Sequence, residues 1–171
     1  MAKIITAAEA ADLIQDGMTL GVSGFGAFAS PDYVMEAMSR KFKEQNTPRD
    51  LTIVSGVAPG DFVEDGCGLS KIKDEGIIKT LIASHLRMSP AIGRACSENK
   101  IAAFSMPLGV YGQLLNAIGS KRPGIITHVG LNTYADPRQD GCKMNELAKA
   151  DGREMVELIH VSGKDYLFYK A

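Results

Sequence analysis

Residues 16–31, DGMTLGVSGFGAFASP, lead from a short apolar stretch into a loop of small residues and then to a helix start. Met18 to Val22 is predicted to be a buried strand. Gly24 and Gly26 accept backbone angles that other residues avoid, and Ser30–Pro31 matches an N-cap followed by proline at the first helical position. The stretch therefore predicts a strand, a ligand loop with outward-facing amides, and a helix.

The same alternation recurs along the chain. Repeated strand-to-helix units imply parallel strands joined by right-handed crossovers. We therefore expect an α/β fold with an open, mostly parallel sheet, helices on both faces, and ligands at the carboxyl ends of the strands. Further strands are predicted at residues 51–55, 80–84, 101–105 and 125–129, and helices after a capping box at Thr6 to Glu9 and at 31–45, about 90–99 and 110–118.

The last quarter of the chain departs from this pattern. Periodicity fails from residue 130 to 145, a length that favours a functional or packed loop. Residues 155–160 and 166–169 are then predicted to form a β-hairpin. Because an apolar hairpin strand needs a neighbour, we expect residues 1–171 to be one incomplete domain, the N-terminal part of a longer protein.

Composition narrows the class of partner. The 171 residues include 19 basic and 20 acidic side chains, a formal net charge of −1, which gives no reason to expect nucleic acid or membrane binding. Cys67, Cys96 and Cys142 lack CxxC spacing, so we expect reduced thiols that pack as small apolar residues. The amino terminus is unlike a signal peptide and no apolar run approaches ~20 residues, so a cytoplasmic protein is predicted.

The residues alone leave the glycine loop open to two interpretations. Its amides could cradle a phosphate or an oxyanion, or the loop could be a plain strand-to-helix turn. The third glycine of a dinucleotide fingerprint is missing, which disfavours nicotinamide dinucleotide binding. Asp136 and Arg138 could form a salt bridge or bind an anion, and no metal site is expected because the histidines lack ligand spacing. These histidines, predicted to be structural, are His85, His128 and His160.

The spacing within residues 16–31 resembles the amino-terminal signature of the family I acyl-CoA transferases, which include acetate, propionate and 3-ketoacid CoA-transferases. That signature is an acidic residue and glycine, a spacer, three apolar residues, Gly-Gly-Phe, three residues, Gly, one residue and Pro. This chain departs from it at Gly21, Ser23 and Ala29. It matches at Asp16, Gly17, Gly24, Phe25 and Pro31.

Later segments are similar to the single-chain propionate type, so the resemblance covers nearly the whole chain. SENKIAAF, MPLGVYGQLL, RPGIITHVGLNTYADPRQDGCKMNE and KDYLFYK occur in the family's order. Leu108 stands where relatives place a glutamine that hydrogen-bonds the catalytic carboxylate, and Gly141 and Cys142 stand in place of paired glycines. The resemblance implies an incomplete CoA-transferase-like domain.

In this family the nucleophile is a glutamate, which the resemblance places beyond residue 171, so we assign no catalytic residue to this chain. Glu98 imitates the nucleophile motif, but Lys100 occupies the place of a glycine, and Glu98 is predicted to be a surface residue. Coenzyme A is implied as a substrate, with no permanently bound cofactor. The implied substrate-binding residues are Gly24, Phe25, Gly26, Ala27, Leu108 and Gly109.

The leading hypothesis is an N-terminal portion of an acyl-CoA:carboxylate CoA-transferase that moves CoA between short-chain acyl-CoA and a free carboxylate through a glutamyl-CoA intermediate. Its expected partners are the remaining polypeptide and further copies in a homo-oligomer. One alternative is a sugar-phosphate isomerase-like enzyme, which needs an acid–base carboxylate within the chain. The other is a non-catalytic ligand-sensing or assembly domain.

Overall fold

The computed structural model describes residues 3–171, and its centre is a parallel sheet in the order β1-β2-β3-β4. The register places Leu20 opposite Ile53 and Thr80 opposite Ala102. Because all neighbouring strands are parallel, their carboxyl ends lie at one edge. The strands are β1 (Thr19–Val22), β2 (Leu51–Ser55), β3 (Ile78–Ala83) and β4 (Ala102–Ser105).

Helical segments connect these strands, close to the predicted positions. Between β2 and β3 lies a short 3₁₀ helix, Gly68–Ile72. The sequence did not predict the last helix, which follows the loop at residues 130–145. The α-helices are α1 (Ala7–Asp12), α2 (Asp32–Gln45), α3 (Pro90–Ser97), α4 (Leu108–Gly119) and α5 (Glu146–Ala150).

One face of the sheet is covered by α1, α2, α3 and the 3₁₀ helix. In α2, Met35 and Met38 lie three residues apart on one side of the helix and are both 2% exposed. They belong to the same core as Leu51 and Ile53 of β2, which are fully buried. Burial of this amphipathic face holds α2 on the sheet.

The other face carries α4 and a second, antiparallel sheet in the order β5-β7-β6. The prediction that residues 125–129 continue the parallel series is wrong, because β5 pairs with β7 and not with β4. The free edge of β4 is occupied instead by residues 142–144, where Ser105 donates its amide to Cys142 and Met144 donates to Ala103. The strands of this sheet are β5 (Gly124–Thr127), β6 (Val156–Val161) and β7 (Lys164–Lys170).

The predicted β-hairpin is confirmed as β6 and β7. Val161 pairs with Lys164, so the turn contains only Ser162 and Gly163. Their φ angles of 50° and 76° suit the type I′ turn that joins twisted antiparallel strands. On the inner side of β7, Leu167 and Tyr169 are fully buried.

Two helix starts test the capping predictions. The capping box of α1 is confirmed: Glu9 donates its amide to the Thr6 hydroxyl at 3.2 Å, and Thr6 donates its amide to the Glu9 carboxylate at 2.8 Å. The predicted cap of α2 is wrong. Pro31 itself is the N-cap residue, and the Ser30 hydroxyl is buried with no hydrogen-bond partner within residues 3–171.

The loop at residues 130–145 is held by the Asp136–Arg138 salt bridge, which the sequence left open. Asp136 is 1% exposed and accepts the Nε and Nη2 of Arg138 at 2.9 and 2.7 Å. The Arg138 guanidinium also donates to Asp165 at the hairpin. The pair thus stabilises the loop and its contact with β7.

Three predictions concern burial. Cys96 and Cys142 are buried free thiols as expected, and burial raises the pKa of each to about 12. Cys67 is only partly buried, so the core prediction is wrong for it. The predicted buried strand at residues 18–22 is also only partly correct, because one face of β1 is exposed.

Among residues 3–171, no helix is long and apolar enough to cross a membrane.

Candidate active site

The loops that follow β1, β2 and β3 interlock at the carboxyl edge of the parallel sheet. Gly60 donates its amide to Gly26 at 3.1 Å, and Ala58 donates to His85 at 3.0 Å. The Ser89 hydroxyl donates to the Pro59 carbonyl at 2.6 Å. Ligands of open α/β sheets bind at this edge, so the interlocked loops form a rigid candidate site.

The glycine loop after β1 contains a two-residue turn. Phe25 and Phe28 exchange two backbone hydrogen bonds of 3.1 Å, which leaves Gly26 and Ala27 at the centre of the turn. Gly26 has a φ of 59°, and a tight hairpin turn of type II′ has glycine at this first central position. The glycine loop therefore contains a tight two-residue turn and is not extended along its whole length.

Gly24 is required for close packing of this turn. Its φ is 127°, and a Cβ atom at this position would lie 3.1 Å from Cβ of Pro59 and 3.3 Å from the carbonyl oxygen of Phe28. A side chain here would strain the backbone and push the turn away from the loop after β2. Gly24 thus fixes the position of the turn in the site.

Two departures from the family signature are connected in space. Ala29 has a φ of 56°, a conformation that favours glycine, the residue the signature places here. The hydroxyl of Ser23, the other replaced glycine, donates to the Ala29 carbonyl at 3.2 Å. This hydrogen bond links the two replaced glycines across the turn.

The turn presents backbone donors that the protein does not use. Within residues 3–171, the amides of Gly24, Gly26 and Ala27 donate no hydrogen bond, whereas the Phe25 amide is bonded to Phe28. Unpaired amides on a rigid turn can stabilise a negative charge that develops on a substrate oxygen. The sequence predicted outward-facing amides here, and three of these four residues have amides with no acceptor within residues 3–171.

Apolar side chains flank these donors. Phe25 and Phe28 are 62% and 80% exposed, well above the usual exposure of phenylalanine. The side chains belong to the same turn as the free amides. The turn can therefore contact an apolar group on either side of a negatively charged atom.

Leu108 and Gly109 begin α4 and lie at the same edge of the sheet. A Cβ atom placed on Gly56, directly after β2, would lie 3.2 Å from Cδ1 of Leu108, which shows that the leucine rests on this loop. Leu108 is 49% exposed, and a Cβ atom on Gly109 would meet nothing within 4 Å. Gly24 and Gly26 thus contact one end of the 56–60 segment, at Pro59 and Gly60, and Leu108 contacts the other end at Gly56.

The loop after β3 adds polar groups that sequence reasoning did not assign to the site. His85 is exposed, and its imidazole makes no hydrogen bond in the described part of the chain, so its predicted role as a satisfied structural residue is wrong. Arg87 is also exposed and forms no ion pair within residues 3–171. Their position directly after a strand was the signal available in the sequence.

Glu98 lies away from this edge. It is the C-cap of α3, which runs from the carboxyl end of β3 back toward the start of β4. Its carboxylate lies 3.2 Å from Nζ of Lys100. This geometry agrees with a surface residue and separates Glu98 from the glycine turn.

No group of three or more His, Cys, Asp or Glu side chains in residues 3–171 is arranged to hold a metal ion. His160 instead contacts Asp165, with 3.1 Å between Nδ1 and Oδ1. The hydrogen bonds from His160 and Arg138 lower the pKa of Asp165.

A family model described as coenzyme A transferase matches residues 4–171. The chain belongs to the coenzyme A transferase family. Caffeate CoA-transferase of Acetobacterium woodii is 42% identical over all 171 residues, and the match spans 32% of that protein. The leading hypothesis about the family is thereby confirmed, together with its α/β fold.

Solved structures agree with this assignment. The acyl-CoA transferase YdiF of Escherichia coli O157:H7, solved as a thioester complex with CoA, superposes with a TM-score of 0.91 at 36% identity and covers 98% of this chain. Glutaconate CoA-transferase of Acidaminococcus fermentans, at 15% identity and a TM-score of 0.76, shares the fold. The chain spans about a third of the length of caffeate CoA-transferase and of YdiF.

Proposed function

We propose that this chain is the N-terminal part of an acyl-CoA:carboxylate CoA-transferase for short-chain substrates, with the glutamate nucleophile outside residues 1–171. The observation that carries the proposal is the glycine turn, whose three free amides lie at the carboxyl edge of the sheet. Gly24, Phe25, Gly26, Ala27, Leu108 and Gly109 form this chain's side of the substrate site.

The reaction proposed for the longer protein begins when a glutamate carboxylate oxygen attacks the thioester carbonyl of acyl-CoA. The carbonyl oxygen becomes negatively charged, and the C–S bond then breaks to release CoA thiolate and leave an acyl-glutamyl anhydride. Attack of the thiolate on the glutamyl carbonyl releases the first carboxylate and forms glutamyl-CoA. The second carboxylate receives CoA by the reverse sequence.

The glycine turn has a defined role in these steps. Each attack on a carbonyl places negative charge on oxygen, and the amides of Gly24, Gly26 and Ala27 supply preorganised donors for it. Phe25 and Leu108 supply apolar surface, which excludes water from a reactive anhydride. Arg87 offers a positive charge for an anionic part of a substrate.

The site gives less support to the two alternatives. In the loop after β2, Glu64 is paired with Arg94 and Asp65 with Lys73, and the Asp61 carboxylate accepts the amide of Val63 at 3.3 Å. These carboxylates stabilise the loop, whereas an isomerase needs one free to move a proton. A non-catalytic domain has no physical need for three free amides beside exposed aromatic rings.

The remaining partners follow from the same proposal. The longer polypeptide binds acyl-CoA and a short-chain carboxylate, uses CoA as a substrate, and assembles as a cytoplasmic homo-oligomer. Light scattering of the full-length protein measures the assembly, and a mass equal to one polypeptide would contradict it.

The test is Ala27→Pro in the full-length protein. Proline removes an amide hydrogen that has no partner within residues 3–171, and Ala27 is not among the residues with positive φ. Loss of one oxyanion donor should lower kcat by roughly 10²–10³-fold in an assay of CoA exchange between acetyl-CoA and labelled acetate.

Ala27→Gly is the matched control, because it keeps the amide and is expected to retain most of the activity. Full activity of a folded Ala27→Pro protein would contradict the role of the turn. Exchange activity in residues 1–171 alone would contradict the external nucleophile.

A further inference from the structure

An apolar groove lies on the sheet face that also carries α4. Its volume is about 360 Å³. One wall of the groove is α4, and its floor is formed by β2 and β3. The apolar residues that line it include Val54, Ile82, Tyr111, Leu114, Leu115 and Ile118.

This part of the sheet is uncovered within residues 3–171. On β1, Thr19 and Gly21 are exposed, and Val54 next to Gly21 is only partly buried. The opposite face of the same strand pair is sealed, with Leu51 and Ile53 fully buried under the first helical layer. A sheet in this fold class buries both faces, so the structure lacks one element over β1 and β2.

The exposed side of α4 faces this uncovered area. Leu115 and Ile118 lie three residues apart and are 46% and 50% exposed. Tyr111, one turn earlier, contacts the groove as well and rests near Gly56. Together they form an apolar stripe that a solvent-facing helix would not carry.

The charged rim of the groove is already neutralised. Arg153 lies 3.4 Å from Asp151, Lys143 lies 2.6 Å from Glu154, and Lys170 is paired with Glu157 at 2.6 Å. The rim therefore offers little electrostatic attraction to a separate charged partner. An apolar segment of the same polypeptide is favoured, because a short tether gives it an effective concentration of the order of mM.

The position of Ala171 identifies that segment. Ala171 lines the groove, and its amide donates to the Pro123 carbonyl at 3.0 Å, which fixes the direction of the backbone there. The matched relatives are about three times as long as this chain. We propose that the segment directly after Ala171 packs its apolar side chains into this groove and completes the layer over β1 and β2. This inference rests on the part of the proposed function that assigns the chain to a longer polypeptide.

The test is photo-crosslinking in the full-length protein. Benzoylphenylalanine replaces Ile118, and Arg40 of α2 is the matched control position, because its side chain is 62% exposed on the opposite layer. The expected product is an intramolecular crosslink from position 118 to a peptide directly after residue 171, with no such product from position 40. Leu115 is the second probe position if substitution at 118 prevents folding.

Other products overturn the proposal. A crosslinked dimer would assign the groove to a second copy, and a link to a distant part of the chain would assign it to another segment. Absence of a crosslink from both 115 and 118 would leave the groove open to solvent or to a small apolar ligand. A CoA-exchange assay on the unmodified protein separates this result from failure of the proposed function, since the crosslink does not depend on activity.

An independent measurement uses thiol labelling. In a Cys67→Ser background, Ile118→Cys in the full-length protein should react with a maleimide at least roughly 10-fold more slowly than Arg40→Cys, because a packed segment limits access. Equal labelling rates would overturn the proposal.

Discussion

The buried carboxylate of Asp136 gives the sharpest prediction about stability. It accepts four hydrogen bonds: from the Asn132 amide at 2.9 Å, the Arg138 amide at 3.0 Å, and Arg138 Nε and Nη2 at 2.9 and 2.7 Å. Substitution of Asp136 by asparagine keeps the shape of the side chain but replaces one acceptor oxygen with a donor. Two of the four bonds are lost, and the other two no longer involve a charged acceptor.

The magnitude follows from the number of bonds. Hydrogen bonds to a charged group contribute about 1.5–3 kcal/mol each, so two bonds correspond to roughly 3 kcal/mol at the lower value. The lower value applies because the Arg138 side chain is 45% exposed, and water screens its charge. A loss of about 3 kcal/mol corresponds to a roughly 100-fold larger population of the locally open state.

Hydrogen exchange of peptides spanning residues 130–139 measures this opening, because the amides of Asn132 and Arg138 both donate to the carboxylate. We expect these amides to exchange about 100-fold faster in Asp136→Asn. Asp140→Asn is the control in the same loop, since Asp140 is exposed and its carboxylate accepts no hydrogen bond within residues 3–171. Unchanged exchange in the Asp136 variant would refute the reasoning.

The same site predicts a pH dependence. The hydrogen bonds from Arg138, followed by those from the backbone, hold the pKa of Asp136 well below its usual range. Its stabilisation is therefore complete above the unfolded-state pKa near ~4 and is lost as the pH falls through the lower folded-state pKa. In urea unfolding, the advantage of the wild type over Asp136→Asn should narrow below about pH 4. A constant advantage down to pH 3 would contradict this cause.

Three further substitutions or reactions test the packing. Tyr169→Phe removes the hydroxyl that donates to the Val129 carbonyl at 3.0 Å. In urea titration it should lower the free energy of unfolding by about 1 kcal/mol. No change would show that this hydrogen bond is not net stabilising. Ala29→Gly removes the cost of a φ of 56° and should stabilise the protein by roughly 0.5–1 kcal/mol; destabilisation would show that the alanine methyl packs favourably. Iodoacetamide at pH 8 should modify Cys67 before Cys96 and Cys142, because burial raises the pKa of the last two thiols to about 12. Peptide mass spectrometry measures the order of modification. Equal modification of all three would contradict the core positions of Cys96 and Cys142.

Local interactions were readable from the sequence. The capping box at Thr6 and Glu9 and the β-hairpin both form as predicted, because each depends on residues close together in sequence. The hairpin turn is shorter than predicted, since Lys164 and Asp165 belong to β7 and not to the connection. The cap of α2 was not readable. The chain approaches α2 through the turn at residues 25–28, and this path leaves Pro31, not Ser30, at the N-cap.

For the site, the sequence determined which residues are small, apolar or able to expose an amide, and the family resemblance implied that Gly24 to Ala27 and Leu108 bind substrate. Only the tertiary structure decided that the glycine segment folds into a turn locked by Gly60, and that His85 and Arg87 lie exposed on the loop after β3. The contact that locks the turn joins Gly26 and Gly60, which are more than 30 positions apart in sequence. No local sequence pattern encodes such a contact.

The sequence by itself determined the parallel α/β class, because repeated apolar strands alternate with amphipathic helices and both periods are local properties. The tertiary structure decided the partner of β5: residues 142–144 occupy the free edge of β4, and β5 pairs with β7 in a separate antiparallel sheet. It also decided that β1 is open on one face, although its sequence reads as buried. Apolar composition shows that a surface needs cover, but only the arrangement of neighbouring elements shows whether this chain supplies that cover.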